Sequence, residues 1–333
     1  MITIYPTPTA KTERRASHFV DALSTLIGLK VVPFSSARAA LVYGLRALGI
    51  GRMDEILVPP FLAHCVLSAL SRTSFPAITP SQRTKAIFVF HQFGYPQQID
   101  HIERIVLQNG WFIVNNCAHS LLSTYHGKMV SDWGDFAVMS FPKFYPCNLG
   151  GALIGRNIRI HKSIDENYEK LAKQHRHRAE RAYGILLKAR QNLSGTDEQF
   201  QIDAVYGYLP EMIAFPIKAL SCLPDTVGQI HQDADRRRKL LDIVRAHFPD
   251  RIPESAECDV VPFAIPVAGE AEHLERASLR IKERLGVEAP VLHFDFARNM
   301  LEPEYKKALI IGCHDGWKED LVYQILDLVK KEL

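Results

Sequence analysis

The sequence predicts an α/β protein built on a large, mostly parallel sheet with helices on both faces, and three observations carry that prediction. Between about residues 35 and 155, helical stretches alternate with short apolar strands, the pattern of crossover-connected parallel strands. The polar and glycine-bearing segments of this region fall just after the strands, where open α/β sheets bind their ligands. The 333 residues also leave room for a smaller second domain.

The elements follow in order. Helices are expected over Arg38 to Leu48, Cys65 to Arg72 and Ile99 to Asn109, and strands over Glu55 to Val58, Ala86 to Phe90, Trp111 to Asn115 and Phe136 to Ser140. A long helix is expected from Ile160 to Arg190. Its basic portion, Lys173 to Arg178, reads either as a solvated face or as a contact for a phosphorylated substrate. Asn192-Leu193-Ser194-Gly195-Thr196-Asp197 is rich in turn formers and is the expected joint between a large domain, 1–195, and a smaller α/β domain, 196–333. In the latter, residues 200–245 look helical, Asp259 to Val267 reads as a strand, and Glu270 to Leu285 as a helix. A strand near Leu309 to Gly312 and a closing helix from Lys318 to Lys331 complete it. There is no internal repeat and no low-complexity tract.

Hydrophobic content of 47% and charged content of 23% are ordinary for a globular chain. A formal charge of +3 is too small to call for nucleic acid or an anionic membrane as partner. No apolar run is long enough to span a bilayer, and the start Met1-Ile2-Thr3-Ile4-Tyr5-Pro6 lacks the layout of a signal peptide, so a cytoplasmic location is expected. The six cysteines are scattered without a Cys-x-x-Cys pair, which suggests neither a disulfide framework nor a zinc site.

Chemistry concentrates at Lys143. It follows Gly134-Asp135-Phe136-Ala137-Val138-Met139-Ser140-Phe141-Pro142 and precedes Gly150-Gly151, a strand that delivers a serine and a lysine to a loop. An amine in such a turn can form a Schiff base with an aldehyde cofactor, and the Ser140 hydroxyl can bond an anion beside it. Pyridoxal 5'-phosphate carries both groups. Alone, such a lysine would be an ordinary surface residue. Here it follows Ser35-Ser36-Ala37-Arg38 at a helix start, Leu57-Val58-Pro59-Pro60, His91-Gln92-Phe93-Gly94 after a strand, and Asn115-Asn116-Cys117-Ala118-His119.

This ordered series resembles the DegT/StrS-type family of pyridoxal-phosphate-dependent nucleotide-sugar aminotransferases, most closely over residues 30–155. The resemblance implies an aspartate-aminotransferase-like fold, fold type I, and a homodimer that completes its pockets from two chains. It implies a nucleotide-linked keto-sugar as substrate, an amino donor such as glutamate, and a role in polysaccharide biosynthesis. It makes Lys143 the Schiff-base lysine, with the shorter Ser-x-x-Lys spacing of one subgroup. It puts the cofactor phosphate at Ala37, Arg38 and Ser140, where a helix start favours an anion, and His119 near the phenolic oxygen. A metal site is not expected.

Several positions depart from the family pattern. Ala37 stands where a glycine is usual and Arg38 where a threonine is frequent. Ala63 replaces an aromatic ring that stacks on the cofactor, leaving His64 as the substitute. The chain between Phe75 and Arg83 is short, and Tyr206-Gly207-Tyr208-Leu209-Pro210 lacks an asparagine that many relatives use across the subunit interface. Above all, Asn116 stands where relatives have the aspartate that keeps the pyridine nitrogen protonated. A charged partner is worth about 1.5–3 kcal/mol against about 0.5–1.5 for a neutral one, so roughly one pKa unit of support or more is lost. Each 1.4 kcal/mol or so is tenfold in rate. The residues therefore allow three readings: a working aminotransferase, an impaired or non-enzymatic member that keeps the fold and serves as a binding or partner subunit, or a pyridoxal phosphate enzyme of a different reaction type that needs no strong electron sink. His91 reads as a loop residue near the site or as a core histidine.

Overall fold

The computed structural model describes residues 2–7, 18–191, 204–214, 223–253 and 256–333. The expected joint at Asn192 to Asp197 lies outside the described residues. The chain opens with helix α1 (His18–Ile27) and strand β1 (Val31–Phe34), followed by α2 (Ala37–Leu48), β2 (Glu55–Leu57), α3 (His64–Leu70), β3 (Phe75–Ala77) and β4 (Thr84–Phe90). Then come α4 (Ile99–Asn109), β5 (Phe112–Asn116), the hairpin β6 (Thr124–Tyr125) and β7 (Lys128–Met129), β8 (Phe136–Ser140) and β9 (Gly151–Gly155).

Seven of these strands form one sheet in the order β1-β9-β8-β5-β4-β2-β3. Strands β3, β2, β4, β5 and β8 run parallel, and β9 is antiparallel to both its neighbours. The central strands are mainly apolar because helices bury both faces: Val114, Phe136 and Val138 pack with α2, whereas Ile87, Val89 and Ile113 pack with α4. Register places Phe90 opposite Asn116, Asn116 opposite Val138, and Ser140 opposite Gly151, so the polar residues gather at one edge.

The expected long helix is two helices, α5 (Ile158–Ser163) and α6 (Glu169–Gln191), joined by a π-helical turn at Ile164–Tyr168. Most of the basic portion of α6 is exposed; His175 is the exception, its Nδ1 accepting from the Ile213 amide. Beyond it lie α7 (Val227–His247), β10 (Cys258–Asp259), β11 (Ala264–Ala268), α8 (Ala271–Leu285), β12 (Val291–Asp295), β13 (Tyr305–Gly312) and α9 (Glu319–Lys330).

The expected strand from Asp259 to Val267 is corrected: it is two pieces in different sheets. Cys258–Asp259 pairs with the β6 hairpin, and Ala264–Ala268 starts a three-stranded antiparallel sheet, β11-β13-β12. Pro262 lies in the break and has no N–H to continue a ladder. One apolar cluster joins α1, the Lys143 turn, α7 and this small sheet, with Phe19, Phe141, Phe263 and Trp317 among its largest members.

Candidate active site

The site begins at the N-terminus of α2. Ser36 caps the helix, its hydroxyl accepting from the Ala39 amide at 3.1 Å, while its carbonyl accepts from Ala40. Ala37 and Arg38 are the first residues of the helix, where amides have no intrahelical acceptor and the helix dipole favours an anion. Strand β9 approaches this helix start closely: a bridge joins Ser36 to Gly150, and the Gly150 amide donates to the Ser35 carbonyl at 2.8 Å. A Cβ on Gly151 would overlap the Ala37 amide nitrogen, so only glycine lets the two elements meet.

Across from that helix start, β8 ends at Ser140 and the chain turns through Phe141–Lys143. A cavity of about 580 Å³ opens between them. Ala37, Arg38, Asn116, Ser140 and Lys143 all line it, so five of the seven residues expected at the site share one wall space. Leu41, Val66, Phe88, Ala118 and Val138 supply its apolar lining.

The Lys143 ammonium lies 4.1 Å from the centroid of the Tyr5 ring and 5.8 Å from that of Phe263. Arg38 points into the cavity from α2, with Nη1 donating to the Tyr206 carbonyl at 3.2 Å and its guanidinium 5.0 Å from the Tyr206 ring centroid. Burial lowers its pKa, but a guanidinium remains charged in proteins. Asn116 is almost fully buried at the end of β5, its Oδ1 accepting from the Ala118 amide at 3.1 Å.

The other two expected residues lie elsewhere. His119 does not line the cavity; it is buried in an aromatic stack, 4.4 Å from Phe263 and 5.7 Å from Phe93. Its Nδ1 accepts from the Phe93 amide at 3.3 Å, so in the neutral ring Nε2 carries the proton. Burial, and then the Lys143 charge, pull its pKa well below the ordinary histidine value. His64 is exposed at the start of α3 and outside the lining, which takes Cys65 and Val66 from that helix. His91 is fully buried and bonded to Asn115, a core histidine beneath the site.

Two lining residues carried no signal in the reading of the sequence. Tyr5 reaches the cavity from the N-terminal segment. Asn148 sits in the loop between Lys143 and the glycine pair, almost fully buried, and its Oδ1 has no hydrogen-bond partner among the described residues. A lone amide between Cys147 and Leu149 was the available clue. An unpaired buried acceptor costs about 1–3 kcal/mol, so this atom asks for a ligand donor. Taken together, a helix start with an arginine, a hydroxyl, an amine and an orphaned acceptor around an apolar space fit a flat phosphorylated aldehyde.

A family model described as "Putative PLP-dependent aminotransferase" matches residues 25–178. The chain is 33% identical over 138 residues to UDP-N-acetyl-3-dehydro-alpha-D-glucosamine 3-aminotransferase of Acidithiobacillus ferrooxidans, covering 35% of this chain and 36% of that one. It is 29% identical over 125 residues to GDP-perosamine synthase of Escherichia coli O157:H7, covering 32% and 34%. The matches thus span about a third of the length of these relatives. Among solved structures, DesV of S. venezuelae aligns with a TM-score of 0.66 at 17% identity over 97% of this chain and 91% of that one. TlmJ of Streptoalloteichus hindustanus aligns at 0.66 and 15%, over 100% and 98%. The whole chain therefore has the fold of these aminotransferases, fold type I, and over the stretch matched in sequence it is similar to the DegT/StrS-type sugar aminotransferases.

Proposed function

We propose that the protein binds pyridoxal 5'-phosphate in this cavity and transfers an amino group from a donor such as glutamate to the keto group of a nucleotide-linked sugar. The observation that carries the proposal is the meeting of Lys143, Ser140 and the Arg38-bearing start of α2 around one cavity. The cofactor would supply the aldehyde that takes up an amine and the conjugated ring that accepts electron density when the substrate C–H bond breaks.

The protein's own residues have separable tasks. The Ala37 and Arg38 amides, the Arg38 guanidinium and the Ser140 hydroxyl would bind the phosphate dianion. Lys143 Nζ would hold the aldehyde carbon at rest and, once displaced by the substrate amine, accept and return the substrate proton. Tyr5 lies over that amine from the N-terminal side. Asn148 Oδ1 would accept a hydrogen bond from the bound ligand. The names of the relatives support a nucleotide sugar as substrate. We further propose a cytoplasmic homodimer and a division of the chain at about residue 195. The free cysteines among the described residues support a reducing compartment.

The test is to add pyridoxal phosphate to the purified protein, reduce with borohydride and map the labelled peptide. The expected label is on Lys143; a label on another lysine, or none, overturns the proposal. Asn116 favours one alternative, a member that binds the cofactor but transfers amino groups slowly or not at all. Incubation with glutamate separates the two readings, because only a working aminotransferase releases 2-oxoglutarate.

A further inference from the structure

We infer that Asn116 holds the ring of the cofactor by donating to an unprotonated pyridine nitrogen, so that this site binds the neutral pyridine and not the pyridinium. The inference rests on the cofactor reading above and concerns a protonation state which that reading leaves open.

Its first support is the orientation of one amide. Asn116 Oδ1 accepts from the Ala118 N–H at 3.1 Å. Turning the amide over would set its NH2 against that N–H, two donors with no acceptor between them, so the orientation is imposed by the main chain. No described residue accepts from Nδ2. Asn116 therefore completes the cavity wall with a donor to spare. A donor pairs with the lone pair of a neutral pyridine nitrogen and opposes an N–H there, which shifts the ring toward its unprotonated form. An aspartate in the same place would accept from Ala118 with one oxygen and still offer the other, with its charge, to a ring proton. The residue difference thus converts an anionic acceptor into a neutral donor while keeping the bond that anchors the side chain.

The charge balance of the cavity is the second support. Among the described residues its lining includes the cations Arg38 and Lys143 and no carboxylate. His119, outside the lining, is held neutral by burial and by the Lys143 charge. Among the described residues of the wall none carries a negative charge that would retain a ring proton.

The experiment is nitrogen NMR of the full chain reconstituted with pyridoxal phosphate isotopically labelled at the ring nitrogen, alongside Asn116→Asp. The expected wild-type resonance lies in the neutral-pyridine range throughout the neutral pH region, and Asn116→Asp moves it to the pyridinium range. A bound wild-type cofactor with a pyridinium resonance overturns the inference and leaves the cofactor reading standing. An aspartate variant that binds the cofactor yet keeps the neutral resonance removes Asn116 as the cause. Absence of any bound resonance and of visible absorption in the wild type overturns the cofactor reading itself. The wild-type resonance decides the protonation state even if the variant does not fold.

Discussion

Arg237 donates from Nη2 to the main-chain carbonyl of Phe144, the residue after Lys143, at 3.0 Å. The arginine is fully buried on α7, its Nη1 donates to the Pro262 carbonyl at 3.3 Å, and its Nε donates to Asp233 at 2.8 Å. Its guanidinium also lies 4.8 Å from the Phe144 ring centroid. One cation thus ties the turn that carries Lys143 to α7 and to the segment entering the small sheet. Its fork of donors explains why an arginine and not a lysine can do so.

Replacing Arg237 with methionine keeps much of the volume and strands two carbonyls and part of a carboxylate. Breaking a buried charged pair costs about 3–5 kcal/mol. The lower end is expected, because Asp233 keeps Arg236 as a partner and is partly exposed. Urea unfolding of Arg237→Met should show a loss of about 3 kcal/mol, with Arg237→Lys recovering only a minor part. A loss below about 1 kcal/mol, the size of an average substitution, would show that the turn is held by its apolar contacts alone.

The second prediction concerns acid. His91 Nδ1 accepts from the Gln97 amide at 3.0 Å, and Nε2–H donates to Asn115 Oδ1 at 2.8 Å, while Asn115 Nδ2 donates to the Val130 and Trp133 carbonyls. Burial pushes the His91 pKa down to about 4 from its ordinary 6.5. The unfolded chain therefore binds the extra proton in the window between the two values. Stability is fully present above 6.5 and falls as pH drops toward about 4. His119 acts in the same direction. At pH of about 5 the His91 contribution alone should remove roughly 2 kcal/mol relative to neutral pH. Unfolding free energies at the two pH values test this, with His91→Gln expected to lose less on acidification than wild type. An equal loss in the variant would assign the acid sensitivity to other groups.

How far the fold was legible depended on whether an element's partner is local. Ile99–Asn109 and Phe136–Ser140 are found where the sequence puts them, because an amphipathic repeat and a run of apolar residues are visible without knowing the neighbour. Strand β1 is only Val31–Phe34, carries Pro33 and exists through pairing with β9, more than a hundred residues away, so nothing local announced it. A π-turn at Ile164–Tyr168 leaves the composition of a helix unchanged, which is why one long helix was expected. At the site, Lys143 and Ser140 were visible from their spacing on a strand end. Tyr5 and Asn148 were not, since they reach the cavity through packing of the N-terminal segment on Phe263 and through the Ser36 to Gly150 bridge.

Arg38 carries the third prediction. If it faces a bound phosphate, Arg38→Met removes a charge-assisted hydrogen bond worth about 1.5–3 kcal/mol. The dissociation constant of pyridoxal phosphate, read from its visible absorption, should rise by roughly 10- to 100-fold. Pyridoxal without the phosphate should bind both proteins equally weakly. Equal loss for the two compounds would mean that Arg38 supports Tyr206 and the local packing, not the anion.

The last prediction turns on the unpaired Oδ1 of Asn148. In the ligand-free protein this buried acceptor has no partner among the described residues, so removing it relieves a penalty of about 1–3 kcal/mol that offsets the packing lost on truncation. Asn148→Ala is therefore expected to leave the unfolding free energy of the ligand-free protein within about 0.5 kcal/mol of wild type or to raise it. With pyridoxal phosphate bound, the same change deletes a hydrogen bond worth about 1 kcal/mol, and affinity should fall roughly fivefold. A purely structural amide would behave in the opposite way, since its loss would lower stability and leave binding alone. Thermal unfolding with and without the cofactor distinguishes the cases in one experiment: a binding residue reduces the ligand-induced rise in midpoint, and a structural one lowers both midpoints together.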